Sequence, residues 1–243
     1  MHKNICLLLT ATINPINVPF LKRKDLTLRE KDYLDSMKKW LRHKDINIIF
    51  CENSGYDLFK FKKVIEESNH NYVELLSFNG NDEAKIYGKS YCELTLMEYA
   101  IKNSIFLKNC DFIFKCTGRN YVKNFSSILK WKKKNNDIFI LVNLGKFLKQ
   151  SDSRFFGFRL DFFYKYLIKY KSFIDDNRGF FIEHAISRST LEAIIDGNNW
   201  SPLPYWPRYE GTSGTFNISI RQNFFKFLKS SLRHKIYRYL IAK

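Results

Sequence analysis

Acids, amides and small hydroxyl residues gather just past the apolar runs of this chain. The run "INIIF" gives way to "CENSGYD", residues 51–57, which sets Glu52, Asn53, Ser54 and Asp57 where a buried strand should end. A carboxylate there can accept two hydrogen bonds from a ribose-type diol in fixed geometry. The same residues also suit a plain Asn-Ser-Gly turn that closes a loop. Polar residues follow the other runs as well: Thr10 to Asn14, Asn79 to Asp82, Thr117 to Asn120, Asn143 to Gly145, and "SDSR" at residues 151–154. Together they predict a polar cleft.

Cations stand in three of these places. "AKIYGKSYCEL" carries Lys85 and Lys89 on a loop before a helix with Glu93 in its first turn, an arrangement that suits an anion near the free amides of a helix N-terminus. "KCTGRN" carries Arg119, which can grip a diphosphate bidentately, beside Gly118, which would let the backbone approach a phosphate. "SDSR" pairs Asp152 with Arg154. Further on, "NRGFFIEHAISRS" places Glu183 and His184 in the first turn of a helix, where either can take a proton from an attacking hydroxyl. Each has an ordinary alternative: lysines on a solvated loop, an exposed turn arginine, and a first-turn Glu favoured by the helix dipole.

Such residues need elements to position them. Five apolar runs, "ICLLLTATI", "INIIF", "YVELLSF", "DFIFKC" and "IFILVNL", alternate with the helix-like stretches "LREKDYLDSMKKWLRH", "FKFKKVIEES", "CELTLMEYAIKNSIFL" and "NFSSILKWKKK". The helix-like "LDFFYKYLIKYKSFI" and "IEHAISRSTLEAII" follow. That alternation predicts an α/β fold, a mostly parallel twisted sheet flanked by helices. In such sheets ligands bind at the carboxyl ends of the strands.

Residues 201–219, with three of the five prolines in "SPLPYWP", read as a loop between a domain over 1–200 and a basic amphipathic helix over 220–243. In that helix Phe225, Leu228, Leu232, Ile236 and Tyr239 form one stripe. A stripe of this kind can pack on a domain or lie on an anionic membrane surface, and spacing does not choose between them.

Composition limits the partners. Of 243 residues, 41 are Lys or Arg and 24 Asp or Glu, a formal net charge of +17 that favours anionic partners. The five cysteines show no Cys-x-x-Cys pair and read as buried small hydrophobes in a reducing compartment; the five histidines are not clustered for zinc. The apolar start reads as a first strand rather than a signal core, and no run approaches the ~20 residues of a membrane span. A cytoplasmic protein, peripheral on the inner membrane face, is expected. The charge and the 17% aromatic content also admit a nucleic-acid binder or a non-enzymatic membrane scaffold, but no RNA-recognition signature or zinc-finger spacing is present, and no nucleic-acid partner is expected.

On "CENSGYD", "CTGRN" and "IEHAI", the chain resembles bacterial GT-A-fold glycosyltransferases of capsule and O-antigen synthesis. The resemblance implies a GT-A-like, Rossmann-like nucleotide-sugar domain and transfer of a sugar from a nucleotide-sugar donor, UDP-linked by preference, to a glycan or polyprenyl-diphosphate-linked acceptor. It implies donor contacts at Thr10, Asn14, Glu52, Asn53, Lys85, Lys89, Arg119, Asp152 and Arg154, and catalysis by Glu183 with His184. Family members carry Asp-x-Asp for a divalent Mn or Mg ion where this chain reads Thr117-Gly118-Arg119. Metal use is thereby left open, with Asp152 the one candidate ligand.

Overall fold

The computed structural model describes residues 4–15, 21–145, 147–214, 217–220 and 224–241. Strand β1 (Ile5–Ala11) is buried along its length, as an unbroken apolar run demands when both faces of a sheet are covered. Helix α1 (Leu26–Trp40) starts at Asp25, whose side chain accepts from the Leu28 amide at 2.8 Å. Strand β2 (Asn47–Glu52), helix α2 (Phe59–Ser68), strand β3 (Val73–Ser77), the short helix α3 (Ala84–Tyr87) and helix α4 (Lys89–Asn103) continue the alternation. The expected helix through "NSIFL" breaks at Ser104, whose hydroxyl accepts from the Leu107 amide and starts a separate turn, α5 (Ile105–Lys108).

Strand β4 (Phe112–Thr117), the short strand β5 (Asn120–Val122) and helix α6 (Phe125–Lys134) follow. Then come β6 (Ile140–Leu141), the hairpin of β7 (Leu144–Gly145) and β8 (Gln150–Ser151), and β9 (Phe155–Phe158). The predicted helix from Leu160 begins as α7 (Leu160–Phe162), widens into a π turn at 163–167 and tightens into a 3-10 turn at 168–173. Helix α8 (Ile182–Ile195), β10 (Trp200–Ser201), β11 (Tyr209–Gly211) and α9 (Phe224–Ile241) complete the order.

The seven-stranded sheet runs β10-β6-β9-β4-β1-β2-β3. Strands β3, β2, β1 and β4 are parallel, and β9 inserts antiparallel to both β4 and β6. The expected α/β fold with a mostly parallel sheet is therefore present, while β9, "FFGF", is a strand the apolar-run reading omits. "IFILVNL" supplies only two residues to the sheet. One face packs on α4 and α8 through Leu94, Met97, Ile101 and Ile186, the other on α1, α2 and α6 through Met37, Trp40, Phe61 and Ile128. The 201–219 segment is not all loop, because β11 pairs antiparallel with β5.

Helix α9 docks by the side opposite its predicted stripe. His234 Nε2 lies 2.6 Å from the Leu203 carbonyl, Arg238 donates to the Pro204 carbonyl at 2.8 Å, and the Arg208 guanidinium lies over the Phe227 ring. Phe225, Leu228, Leu232, Ile236 and Tyr239 are all exposed, with Arg233 and Lys235 at the borders of their stripe. At 100° per residue the two faces cannot both meet the domain.

Glu52 ties the strand ends together. It is fully buried, and its carboxyl oxygens accept from the backbone amides of Ile13, Ser54 and Tyr56, each at 2.9 Å, and from the Ser54 hydroxyl. Gly55 closes this turn at φ 67°, where an added Cβ would stand 2.0 Å from Asn79 Oδ1. A carboxyl group so surrounded organises backbone rather than ligand. Glu52→Ala strands the buried Ile13 amide and the part-buried amides of Ser54 and Tyr56 at once, so chemical denaturation should show a loss of about 2 kcal/mol or more, and Glu52→Gln a smaller loss.

Candidate functional site

A cleft of about 520 Å³ opens at the carboxyl ends of β1 and β4. Thr10, Ala11 and Thr12 form its floor with Thr117; Arg29, Tyr33 and Arg119 line one side, and Lys89, Glu93, Ser153, Arg154 and Glu183 another. The parallel register that sets Thr10 opposite Thr117 brings these ends together. Thr212, Ser213, Ile218 and Ile220 also line it.

The cationic side is built from backbone. Arg29 is almost fully buried on α1 and donates to the carbonyls of Thr12, Ile13 and Arg23. Burial pushes its guanidinium below the ordinary value, against the pull of nearby Tyr33. Arg119 donates through Nε to the Thr212 carbonyl at 2.9 Å, and its Nη1 is 3.4 Å from the Tyr33 hydroxyl. Gly118 makes a close approach, but to protein: its amide donates to the Thr10 carbonyl at 2.8 Å, and a Cβ there would meet that oxygen at 3.0 Å. The glycine thus seats Arg119 beside β1.

The acidic side rests on a lysine that sequence reading passed over. Lys115, within β4, is wholly buried; its ammonium pairs with Glu93, donates to the Ser153 carbonyl at 2.7 Å and lies 3.5 Å from Thr117 Oγ1. Ser153 Oγ in turn donates to Glu183 Oε1 at 2.7 Å. Burial pushes the Glu183 carboxyl above the usual carboxylate range and Glu93 adds to the effect, while Ser153 and Lys89 oppose it. A lone lysine inside the apolar run "DFIFKC" was the available signal, since a buried ammonium must have a partner. Arg29 and Tyr33 left no such signal among the polar residues of α1.

The other predicted residues divide. Thr10, Lys89, Arg119, Arg154 and Glu183 meet in the cleft. Asn14, Asn53 and Lys85 line a separate hollow of about 210 Å³. Glu52 does not reach the cleft, because backbone amides occupy both of its oxygens, so the expected ribose contact is not open to it in this arrangement. His184 is also turned away from the proton-transfer role expected of it. Its Nδ1 accepts from the Phe181 amide at 3.0 Å, and Nε2 is 2.9 Å from Gln150 Nε2.

Asp152 is a poor fit for a lone metal ligand. Its two oxygens accept from Arg154 at 2.8 and 2.7 Å, and one also accepts from the Tyr209 hydroxyl. Among the described residues no group of three or more His, Cys, Asp or Glu is placed to hold a metal ion. The five cysteines are free and buried.

No family model matches the chain. Over 120 residues, 45% of its length, it is 32% identical to the mitochondrial ATP-dependent RNA helicase SUV3 of Saccharomyces cerevisiae, and the match spans 16% of that protein. Among solved structures, galactosyltransferase LgtC, in complex with donor and acceptor sugar analogs, aligns at a TM-score of 0.50 and 11% identity, over 81% of this chain and 73% of that one. A protein described as a nucleotide-diphospho-sugar transferase, from Desulfovibrio desulfuricans G20, aligns at 0.47 and 11% identity, over 83% and 80%. At such identities the LgtC likeness is one of fold: the architecture is GT-A-like.

The raised Glu183 carboxyl has a thermodynamic consequence. A folded-state pKa above the unfolded one means that the native state favours the proton. The stability this adds is present below the unfolded pKa and is lost as pH rises through the folded one. Glu183→Gln stays neutral throughout, so thermal melts should coincide with wild type near about pH 4 and lie above it at about pH 8.

Proposed function

We propose that the protein is a nucleotide-sugar-dependent glycosyltransferase whose donor diphosphate lies against Lys89, Arg119 and Arg154. The observation that carries this reading is the juxtaposition, at the ends of β1 and β4, of those three cations with the half-buried carboxyl group of Glu183. Guanidinium groups retain their charge at any working pH and have N–H groups left for phosphate oxygens beyond those given to protein, Nε and Nη2 of Arg154 to Asp152 and Nε of Arg119 to Thr212. They offset leaving-group charge in the role that Asp-x-Asp and a metal fill elsewhere in the resembling family.

The proposed step is direct displacement. The acceptor hydroxyl oxygen forms a bond to the anomeric carbon, the bond from that carbon to the diphosphate oxygen breaks, the nucleoside diphosphate leaves with the bonding pair, and Glu183 takes the hydroxyl proton. Burial raises the proton affinity of Glu183 and makes it a stronger base, though one that must be ionised to act. Activity accordingly falls at acid pH, as the raised carboxyl regains its proton. Ser153, held by Lys115, positions the carboxyl.

The finer reading keeps a UDP-linked donor, a glycan or polyprenyl-diphosphate-linked acceptor, and a place in surface-polysaccharide assembly. The outward stripe of α9 supports a peripheral position on an anionic membrane, since aromatic and aliphatic side chains bordered by Arg233 and Lys235 suit a charged interface. No helix among the described residues is long and apolar enough to cross a membrane.

A thermal-shift panel of UDP-, GDP- and CMP-sugars, with and without Mn²⁺, tests the proposal through mass action. A UDP-sugar should raise the melting temperature without metal. Arg119→Ala should weaken donor binding by about tenfold or more, as loss of a charged hydrogen bond of ~1.5–3 kcal/mol implies. Glu183→Gln should bind donor and fail in transfer. Salt-sensitive binding of single-stranded RNA with no response to any sugar nucleotide would overturn the reading in favour of a nucleic-acid role, to which the helicase match points.

A further inference from the structure

The hairpin of β7 and β8 ends in an apolar tip that the proposed transfer does not use. Phe147 is 97% exposed and Leu148 44%, and both hold left-handed backbone at φ 57° and 66°. That conformation costs a non-glycine residue roughly 1–2 kcal/mol, and an open phenyl ring in water offers no compensation. Below the tip the hairpin is firmly seated on α8. Ser187 donates to the Leu148 carbonyl, Gln150 meets His184, and Ser151 donates to the Glu183 carbonyl at 3.1 Å. The tip therefore stands on α8, one turn along from Glu183, whose side chain lines the cleft. On the other strand the Leu144 backbone lies close to the Tyr237 side chain of α9.

Along the chain the charge beside these apolar groups is basic: Lys149 follows the tip, and no Asp or Glu occurs after Glu210, so the charged residues of α9 are all basic. A second copy of the chain docking on itself here would bring like charges together, whereas an anionic bilayer complements them.

We propose that Phe147 and Leu148 insert into the same anionic membrane surface that α9 contacts, so that the bilayer meets the protein beside the Glu183 wall of the cleft and a lipid-linked acceptor enters from the membrane plane. This rests on the membrane reading of α9 above. It adds a second contact, and the second contact fixes the orientation of the cleft: α9 alone would leave the domain free to turn about the helix axis.

The test uses the full chain with Phe147→Cys and, separately, Leu232→Cys, each carrying an environment-sensitive fluorophore on the new thiol; the native cysteines are all buried. With vesicles of phosphatidylglycerol and phosphatidylcholine, both labels should shift to the blue and be quenched by brominated lipid, and neither should respond to phosphatidylcholine alone. Phe147→Ser should lower vesicle affinity about tenfold in co-sedimentation, the scale set by withdrawing one phenyl side chain from an apolar phase, without changing the melting temperature. A label at 232 that responds while one at 147 stays aqueous overturns the hairpin contact and leaves the α9 reading standing. Silence at both positions overturns both. A response at 147 that depends on protein concentration in the absence of lipid means that another copy covers the tip, and also overturns the proposal.

Discussion

Everything at the ligand end of this fold depends on one buried carboxyl group gathering backbone amides. Glu52 closes β2, yet its oxygens serve the loop after β1 through Ile13 and the turn after β2 through Ser54 and Tyr56, with Ser77 at the end of β3 within 3.5 Å. Parallel strands end with amides that the sheet ladder cannot satisfy; here the one at Ile13 is buried and those at Ser54 and Tyr56 belong to half-buried residues. A side chain that satisfies several of them also sets the spacing of three loops. The floor of the cleft, Thr10 to Thr12, inherits its position from that arrangement.

The cleft shows a second economy of the same kind. Its charged groups are held by protein before any ligand arrives: Arg29 by three carbonyls, Arg119 by Thr212, Arg154 by Asp152, and Glu93 by a lysine with no exposed surface. Burying Lys115 carries a desolvation cost that only close pairing offsets, so the Lys115–Glu93 pair is better explained by the placement of Ser153 and Glu183 than by stability. Such prearrangement lowers the reorganisation needed when charge moves during a reaction. Half-buried Glu183 meets the cleft with Ser153 supplying a hydrogen bond that water would otherwise give.

The resemblance to GT-A glycosyltransferases, first suggested by short motifs, agrees with the architecture in a way those motifs did not require. A parallel β3-β2-β1-β4 half with an antiparallel β9 beside it makes up most of the sheet, and the fold as a whole is similar to that of LgtC. The motifs themselves fared unevenly. "CENSGYD" lies at a strand end but turns its glutamate inward, "CTGRN" presents its arginine to the cleft, and "IEHAI" presents its glutamate but not its histidine.

What the sequence by itself determined is the alternation of buried strands and amphipathic helices, and hence the α/β class and the sheet edge at which polar residues collect. Those follow from local patterns of apolar residues, which a single chain displays openly. The stripe on α9 was equally legible, but which face of the helix meets the domain was not, since that depends on the carbonyls of Leu203 and Pro204 arriving opposite His234 and Arg238. Only the tertiary structure decided that Glu52 turns into the protein while Glu183 turns toward the cleft. Both are acids next to apolar runs, and their difference lies in what each meets: three converging amides in one case, a single serine hydroxyl in the other. Strand β9 and the partners of Lys115 were hidden for the same reason, because antiparallel insertion and burial of a charge are settled by residues distant along the chain.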